Sequence, residues 1–182
     1  EQVAQELEVQ LSRLEREDAQ LQLTDFDMNE MLRRAVIRRM NDLDQKQMEI
    51  DTDFRLDPCM VHADSDRMEQ VVVNLLDNAI KYTPAGSVIE VHTEKNKASQ
   101  QVLVSVSDDG PGIPDDQKTH IFDMFYSGAN KIADSRRSLG LGLSLCKSIV
   151  TAHGGTIWVT DRDPKGTVFT FTLPAGEVEL HE

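Results

Sequence analysis

From Asp64 to Thr83 the chain carries a helical pattern whose two sides differ in kind. Val72, Leu75, Leu76, Ala79 and Ile80 make one side apolar. Asn74, Asn78 and Lys81 fall within about 60° of one another on the other side. A helix divided in this way must lay its apolar side on another layer. The polar side is not the usual solvated mixture of lysine and glutamate. Two carboxamides one turn apart, with an ammonium one turn further on, can hold a metal ion through oxygen and a polyanion beside it. A surface helix with two incidental asparagines is the plain alternative.

The rest of the chain supplies that second layer. Leu21–Asp27, Ile50–Leu56, Cys59–His62, Val88–Thr93, Val102–Val106, Thr156–Thr160 and Thr167–Leu173 read as strands, most of them alternating. A helix is expected from Met28 to about Lys46, with Asp27 or Asn29 as its N-cap. The central helix is expected to start at Asp64 or Ser65 and to end at Pro84-Ala-Gly86. A last helix is expected over Leu141–Ala152. Residues 114–139 are polar and weakly periodic, as in a lid or a disordered loop. Strands and helices mix without regular βαβ alternation, so the expected class is α+β. The expected architecture is a two-layer α/β sandwich, a mixed sheet covered by about three helices. Residues 1–20 place Val3, Leu7, Leu11 and Leu14 at helical spacing among charges, the narrow seam of a helical tail that packs on a partner helix or a second chain.

Composition limits the partners. The 182 residues carry a net charge of −13, a field that repels nucleic acid and anionic membrane surfaces. A phosphate site must then be local and metal-assisted. The two cysteines, Cys59 and Cys146, have no ligand spacing, and Cys146 sits on an apolar helical pattern as a core residue would. No run approaches the roughly 18 apolar residues of a membrane span. The chain opens on Glu1, as a fragment of a larger protein would.

Three further clusters carry chemistry. Val106-Ser-Asp-Asp-Gly-Pro-Gly-Ile113 closes a strand, with Gly110 and Gly112 allowing close backbone approach to a ligand. Asp108 or Asp109 offers a carboxylate that can accept from an amino group, as an adenine reader does; an ordinary Asp-Gly turn is the alternative. Leu139-Gly-Leu-Gly-Leu143 precedes an apolar helix, where free N–H groups and the helix dipole form a phosphate cradle. A lid hinge is compatible with that role. Arg136 and Arg137, with Lys131 nearby, form a basic spot that can close on phosphates or remain a solvated pair.

Taken in order, Asn-x-x-x-Asn-x-x-Lys-Tyr, Asp-x-Gly-x-Gly-Ile, Phe-x-x-Phe at Phe122 and Phe125, and Gly-Leu-Gly-Leu resemble the ATP-binding catalytic domain of sensor histidine kinases. That domain belongs to the Bergerat-fold ATPase superfamily with DNA gyrase B subunits, Hsp90 and MutL. The resemblance divides the chain into 1–21, the end of a dimerisation and phosphotransfer helix or a linker; 22–176, the catalytic ATP-binding domain; and 177–182, a tail. Residues 135–149 look most like potassium-responsive sensors of the Kdp type.

The resemblance implies ATP and Mg²⁺. It implies that Asn78 coordinates the metal with help from Asn74, that Lys81 contacts phosphate, and that Tyr82 lines the nucleotide. Asp108 would accept from the adenine amino group, with Gly110, Gly112 and Ile113 against the base and Thr167 beside it. Gly140, Leu141, Gly142 and Leu143 would surround the phosphates, and Phe122 and Phe125 would anchor the lid. Arg137, with Arg136, would stabilise the γ-phosphate during transfer. Asn74, Lys81 and Arg137 would be the catalytic set. Two positions depart from the family pattern: Ser138 replaces a further glycine and Met124 a basic residue.

Hydrolytic relatives keep a water-activating glutamate where this chain has Asn74. An amide cannot act as a general base, so transfer to a protein acceptor fits better than hydrolysis. None of His62, His92, His120, His153 and His181 lies in the motif of a phosphorylated histidine. The acceptor is expected upstream, on the chain's own dimerisation and histidine phosphotransfer domain in a homodimer, with a response regulator downstream. The implied setting is the cytoplasmic part of a membrane-bound sensor. A non-kinase module, in which ATP switches a lid and a partner surface, is the second reading. A serine-phosphorylating relative of the same superfamily fits the helical tail and long lid less well.

Overall fold

The computed structural model describes residue 5, residues 21–123 and residues 134–177, with backbone alone for 134–141. The helical seam of residues 1–20, Phe125, Lys131 and the side chains of Arg136, Arg137 and Leu141 therefore lie outside the described residues, as do residues 178–182.

Strand β1 (Leu23–Asp27) pairs antiparallel with β3 (Met60–Asp64) as a two-stranded sheet. Between them lie α1 (Met28–Ile37), α2 (Met40–Gln45) and β2 (Glu49–Phe54). The central helix α3 (Ser65–Tyr82) follows, then β4 (Val88–Asn96), β5 (Gln101–Asp108), the short α4 (Asp115–Lys118), α5 (Asp134–Ala152), β6 (Ile157–Asp161) and β7 (Thr167–Pro174). The main sheet has the order β2-β4-β5-β7-β6. β2 and β4 are parallel and every other neighbouring pair is antiparallel. This is the expected mixed sheet in an α+β sandwich.

Burial alternates along β4 and β5, so one face of the sheet meets the helices. Ile89, Val91, Val102, Val104, Val106, Phe169, Phe171 and Leu173 share one core with Val71, Val72, Leu75, Leu76 and Ala79 of α3 and with Cys146, Ile149 and Val150 of α5. Asp27 caps α1 by accepting from Asn29 N at 3.0 Å, and the same Oδ1 accepts from Cys59 N at 3.0 Å. Asp64 caps α3, accepting from Asp66 N at 3.1 Å and Arg67 N at 3.3 Å. Its second oxygen accepts from Gln22 N at 3.1 Å and ties the start of β1 to the central helix.

Two expectations need correction. The helix expected from Met28 to Lys46 is broken at Arg38–Arg39. The β-branched pair Val36-Ile37 and the run Asn41-Asp42 disfavour helix, and Arg39 Nε reaches Asp77 Oδ1 on α3 at 2.6 Å. The break leaves Met40 42% exposed, although its spacing marks it as a core position. The second correction concerns the last helix, which starts at Asp134 and not at Leu141. Residues 134–139 contain neither Gly nor Pro to stop it.

Because Asp64 caps α3 and anchors β1, Asp64→Ala is expected to destabilise the fold by about 1–2 kcal/mol while Asp64→Asn loses less. Urea denaturation of the two variants, compared at constant m-value, measures this.

Candidate functional site

Helix α3 buries Val71, Val72, Leu75, Leu76 and Ala79, and this fixes where its polar stripe points. Asn74 lies against α5: its Nδ2 donates to Gly142 O at 3.4 Å and approaches Cys146 Sγ at 3.8 Å. With the amino group so engaged, the carbonyl oxygen of the amide is left as an acceptor. One turn on, Asn78 Oδ1 is buried and has no hydrogen-bond partner. An unpaired buried carbonyl oxygen costs roughly 1–3 kcal/mol, so the position suits a group that supplies positive charge. At the end of the helix Lys81 is exposed, with its Nζ 5.7 Å from the Tyr82 ring centroid.

The strand β5 ends on the second part of the site. Asp108 is 8% exposed and its Oδ1 accepts from Gly110 N at 2.9 Å. Asp109 turns the other way and accepts from Val88 N at 2.9 Å. Asp109 thus holds the start of β4, and Asp108 is the buried carboxylate of the two. Burial pushes the Asp108 carboxyl up. The Gly110 N–H opposes this, the Asp109 charge adds to it, and Arg162 and the Thr167 N–H draw it down. Thr167, itself buried, stands opposite Asp108 in the β5–β7 register. Gly110 has no room for a side chain, since a Cβ there would sit 2.8 Å from Thr83 Cγ2. Ile113 and Phe122 pack on the core, and the Phe122 ring meets Phe169 edge-on at 6.1 Å.

The glycine cluster differs from its expected geometry. Gly140 and Gly142 lie inside α5 rather than before its first turn. Their N–H groups therefore do not form the helix-start cradle that the sequence pattern suggests. Two glycines inside a helix cost about 1 kcal/mol each against alanine, which makes this the stretch of α5 easiest to unwind. Gly142 and Leu143 are buried. Cys146 lies beneath Asn74, and burial pushes its thiol up to about 12, so it is a neutral packing group and not a nucleophile.

Two further residues beside Asp108 and Gly110 have contacts that their local pattern does not reveal. Thr83 is 4% exposed and its hydroxyl donates to Ala79 O at 2.6 Å, which presents its methyl group to Gly110. Gly166 has φ +119°, and a Cβ there would fall 1.9 Å from Asp108 O, so only glycine lets the β6–β7 turn close on β5. The four histidines among the described residues make structural contacts. His62 pairs with Asp25 at 2.9 Å, and His92 lies between Asp53 and Glu94 at 3.0 and 3.1 Å. His120 pairs with Asp123 at 3.1 Å. His153 donates from Nδ1 to Ile149 O at 2.8 Å and accepts Asp64 N at 3.0 Å.

The sequence model of the histidine kinase-, DNA gyrase B-, and HSP90-like ATPases matches residues 63–177, the stretch that holds the contacts from Asp64 to β7. The chain belongs to that family. It is 46% identical over 118 residues to the sensor protein KdpD of Clostridium acetobutylicum, covering 65% of this chain and 13% of that protein. It is 47% identical over 131 residues to the adaptive-response sensory kinase SasA of a Synechococcus strain, covering 71% of this chain and 33% of that one. The chain thus spans a third or less of these two curated relatives. The Kdp-type resemblance has its counterpart among them, beside SasA kinases of similar identity. In structure, the chain resembles the catalytic domain of the histidine kinase ThkA, with TM-score 0.74 and 31% identity over 85% of this chain and 97% of that one. The same kinase has been solved with the response regulator protein TrrA, at TM-score 0.72 and 31% identity over 85% of this chain and 42% of that one.

A carboxyl whose proton affinity is raised by folding contributes stability below its unfolded pKa and loses it as pH rises through the folded value. Asp108→Asn removes that loss and keeps an acceptor for Gly110 N–H. The variant is expected to melt at a higher temperature than the parent at neutral pH, with the gap closing as the pH falls below the ordinary carboxylate range. A gap independent of pH in thermal melts would contradict the burial of this charge.

Proposed function

We propose that this chain is the ATP-binding catalytic unit of a two-component sensor histidine kinase, and that it passes the γ-phosphate of ATP to a histidine on a dimerisation domain outside residues 22–176. The observation that carries the reading is the pair of amides on α3. Asn74 has its amino group on α5 and offers no carboxylate, while Asn78 presents a buried oxygen without a partner. The pair suits metal and phosphate binding and cannot deprotonate water.

Mg²⁺ fits this donor set. Among the described residues, no group of three or more His, Cys, Asp or Glu side chains could hold a metal ion, so the ligands would be amide oxygen and the nucleotide's own phosphates. Asn78 Oδ1 would be the protein ligand, with Asn74 Oδ1 assisting. When bound, the ion neutralises phosphate charge that the acidic chain would otherwise repel. Lys81 supplies a mobile cation at the phosphate end. Asp108 accepts from the adenine amino group in a dry pocket, where an unmatched base leaves a buried carboxylate unpaired. Gly110 and Gly112 let the base lie on backbone, with Tyr82, Ile113 and Thr167 around it. Gly140, Leu141, Gly142 and Leu143 would serve the phosphates only where this stretch of α5 unwinds and frees N–H groups that the helix otherwise uses. Phe122 and Phe125 hold the lid, and Arg136 and Arg137 bring further positive charge to the γ-phosphate. Catalysis then rests on alignment and charge neutralisation, without a general base.

The wider assignments belong to the same proposal. Residues 1–21 would be the end of the dimerisation and phosphotransfer helix of a homodimer, or a linker. The downstream partner is a response regulator, a reading supported by the ThkA complex. Among the described residues no helix is long and apolar enough to cross a membrane. Attachment to a membrane sensor would therefore come from other parts of the protein.

Two measurements test the reading. Asn78→Ala is expected to weaken MgATP binding at least a hundredfold, read by calorimetric titration; unchanged affinity would remove Asn78 from the metal site. Mixed with a separately prepared acceptor domain and γ-labelled ATP, the chain is expected to yield acid-labile phosphohistidine on the acceptor and none on itself. Nucleotide binding with no transfer to any histidine acceptor would favour a nucleotide-switched module instead.

A further inference from the structure

Lys46 lies before β2, outside the residues that the family model matches. Its side chain nevertheless reaches the end of the central helix. Lys46 Nζ donates to Ile80 O, to Thr83 O at 2.5 Å and to Lys81 O at 3.4 Å. Its backbone carbonyl accepts from Gly86 N at 3.0 Å, closing the same loop from the other side. An ammonium group has three donors and no acceptor, and the last turn of a helix has carbonyls without partners at the negative end of its dipole. Lys46 answers both needs at once, which a solvated surface lysine does not.

What it holds matters more than how well it is held. The three carbonyls belong to the stretch that carries Lys81 and Tyr82 and leads into Thr83. Thr83 faces Gly110, and Gly110 N–H holds Asp108. One cation therefore fixes the point where the phosphate side of the site, on α3, meets the base side, on the β5 loop. Met48, two residues on, adds to the same junction: it is 6% exposed, and Thr83 Oγ1 lies 4.0 Å from its sulfur.

We propose that Lys46 is a positioning residue for the nucleotide site: without touching nucleotide, it sets the end of α3 and, through Thr83 and Gly110, the carboxylate of Asp108. The proposal rests on the nucleotide-binding reading above. It assigns residues outside the matched family region a part in forming the pocket.

The test compares the parent chain with Lys46→Met, which keeps the aliphatic stem, and Lys46→Gln, which keeps two N–H donors without charge. MgATP affinity is measured by calorimetric titration, and amide exchange is followed at Gly110 with Val104 in the sheet as the reference. The parent is expected to bind. Lys46→Met is expected to bind about tenfold more weakly, the scale on which supporting partners act, with faster exchange at Gly110 and no change at Val104. Lys46→Gln is expected to fall between. A folded Lys46→Met with parental affinity and parental Gly110 exchange overturns the proposal and leaves the nucleotide reading intact. A parent that does not bind MgATP overturns the nucleotide reading and this proposal with it. If Lys46→Met does not fold, Lys46→Gln decides: parental affinity and exchange in that variant overturn the proposal.

Discussion

The structure depends on how α3 is buried. Five apolar side chains on one side of that helix lie in the core with the β4, β5 and β7 strands. Burial of this kind stabilises by roughly 1.5–3 kcal/mol per large aliphatic side chain, enough to fix the helix's rotation about its own axis. Once the rotation is fixed, Asn74 must face α5 and Asn78 and Lys81 must follow on the same stripe. On α3 the site is a consequence of core packing, because the residues of that helix that would bind ligand are those whose side the core does not use.

Several buried polar groups around this helix are matched at every donor and acceptor. Asn29 is fully buried and still has partners for both ends of its amide: Thr93 Oγ1 donates to its oxygen at 2.6 Å, and its nitrogen donates to Leu56 O at 2.7 Å and Asp57 Oδ1 at 3.2 Å. His153 uses both ring nitrogens. Beside them, Asn78 Oδ1 is buried without a partner and lies on the same stripe of α3 as Asn74 and Lys81, where a ligand could complete it. Asp108 belongs with it, a carboxylate held in a dry place at a cost to stability at neutral pH. Both are features that a sequence selected for stability alone would not keep.

Much of this is legible along the chain. The alternation of β4, β5 and β7, the two-sided α3 and the Asp caps follow from period and turn chemistry, which act within a few residues. No Gly or Pro interrupts residues 28–46, so the sequence pattern there runs on as one helix. Weak helix formers and an ion pair to α3 make the break. The start of the last helix shifts for the opposite reason. The glycines at 140 and 142 signal a helix start locally, yet the helix-compatible residues before them continue the helix. The roles of Lys46, Thr83 and Gly166 are not local, since the partners that give them lie tens of residues away.

The sequence by itself determined the fold class, the amphipathic central helix, the presence of an amide at Asn74 where a general base would need a carboxylate, and the residue types available at the proposed nucleotide site. These follow from side-chain chemistry and from periodicities of 3.6 and 2 residues, both readable along the chain. Tertiary structure alone decided which of Asp108 and Asp109 is buried, which way the Asn74 amide points, that Asn78 Oδ1 has no partner, and that Lys46 closes the end of α3. Those outcomes depend on desolvation and on hydrogen bonds between residues distant in sequence. Neither quantity exists until the chain has packed.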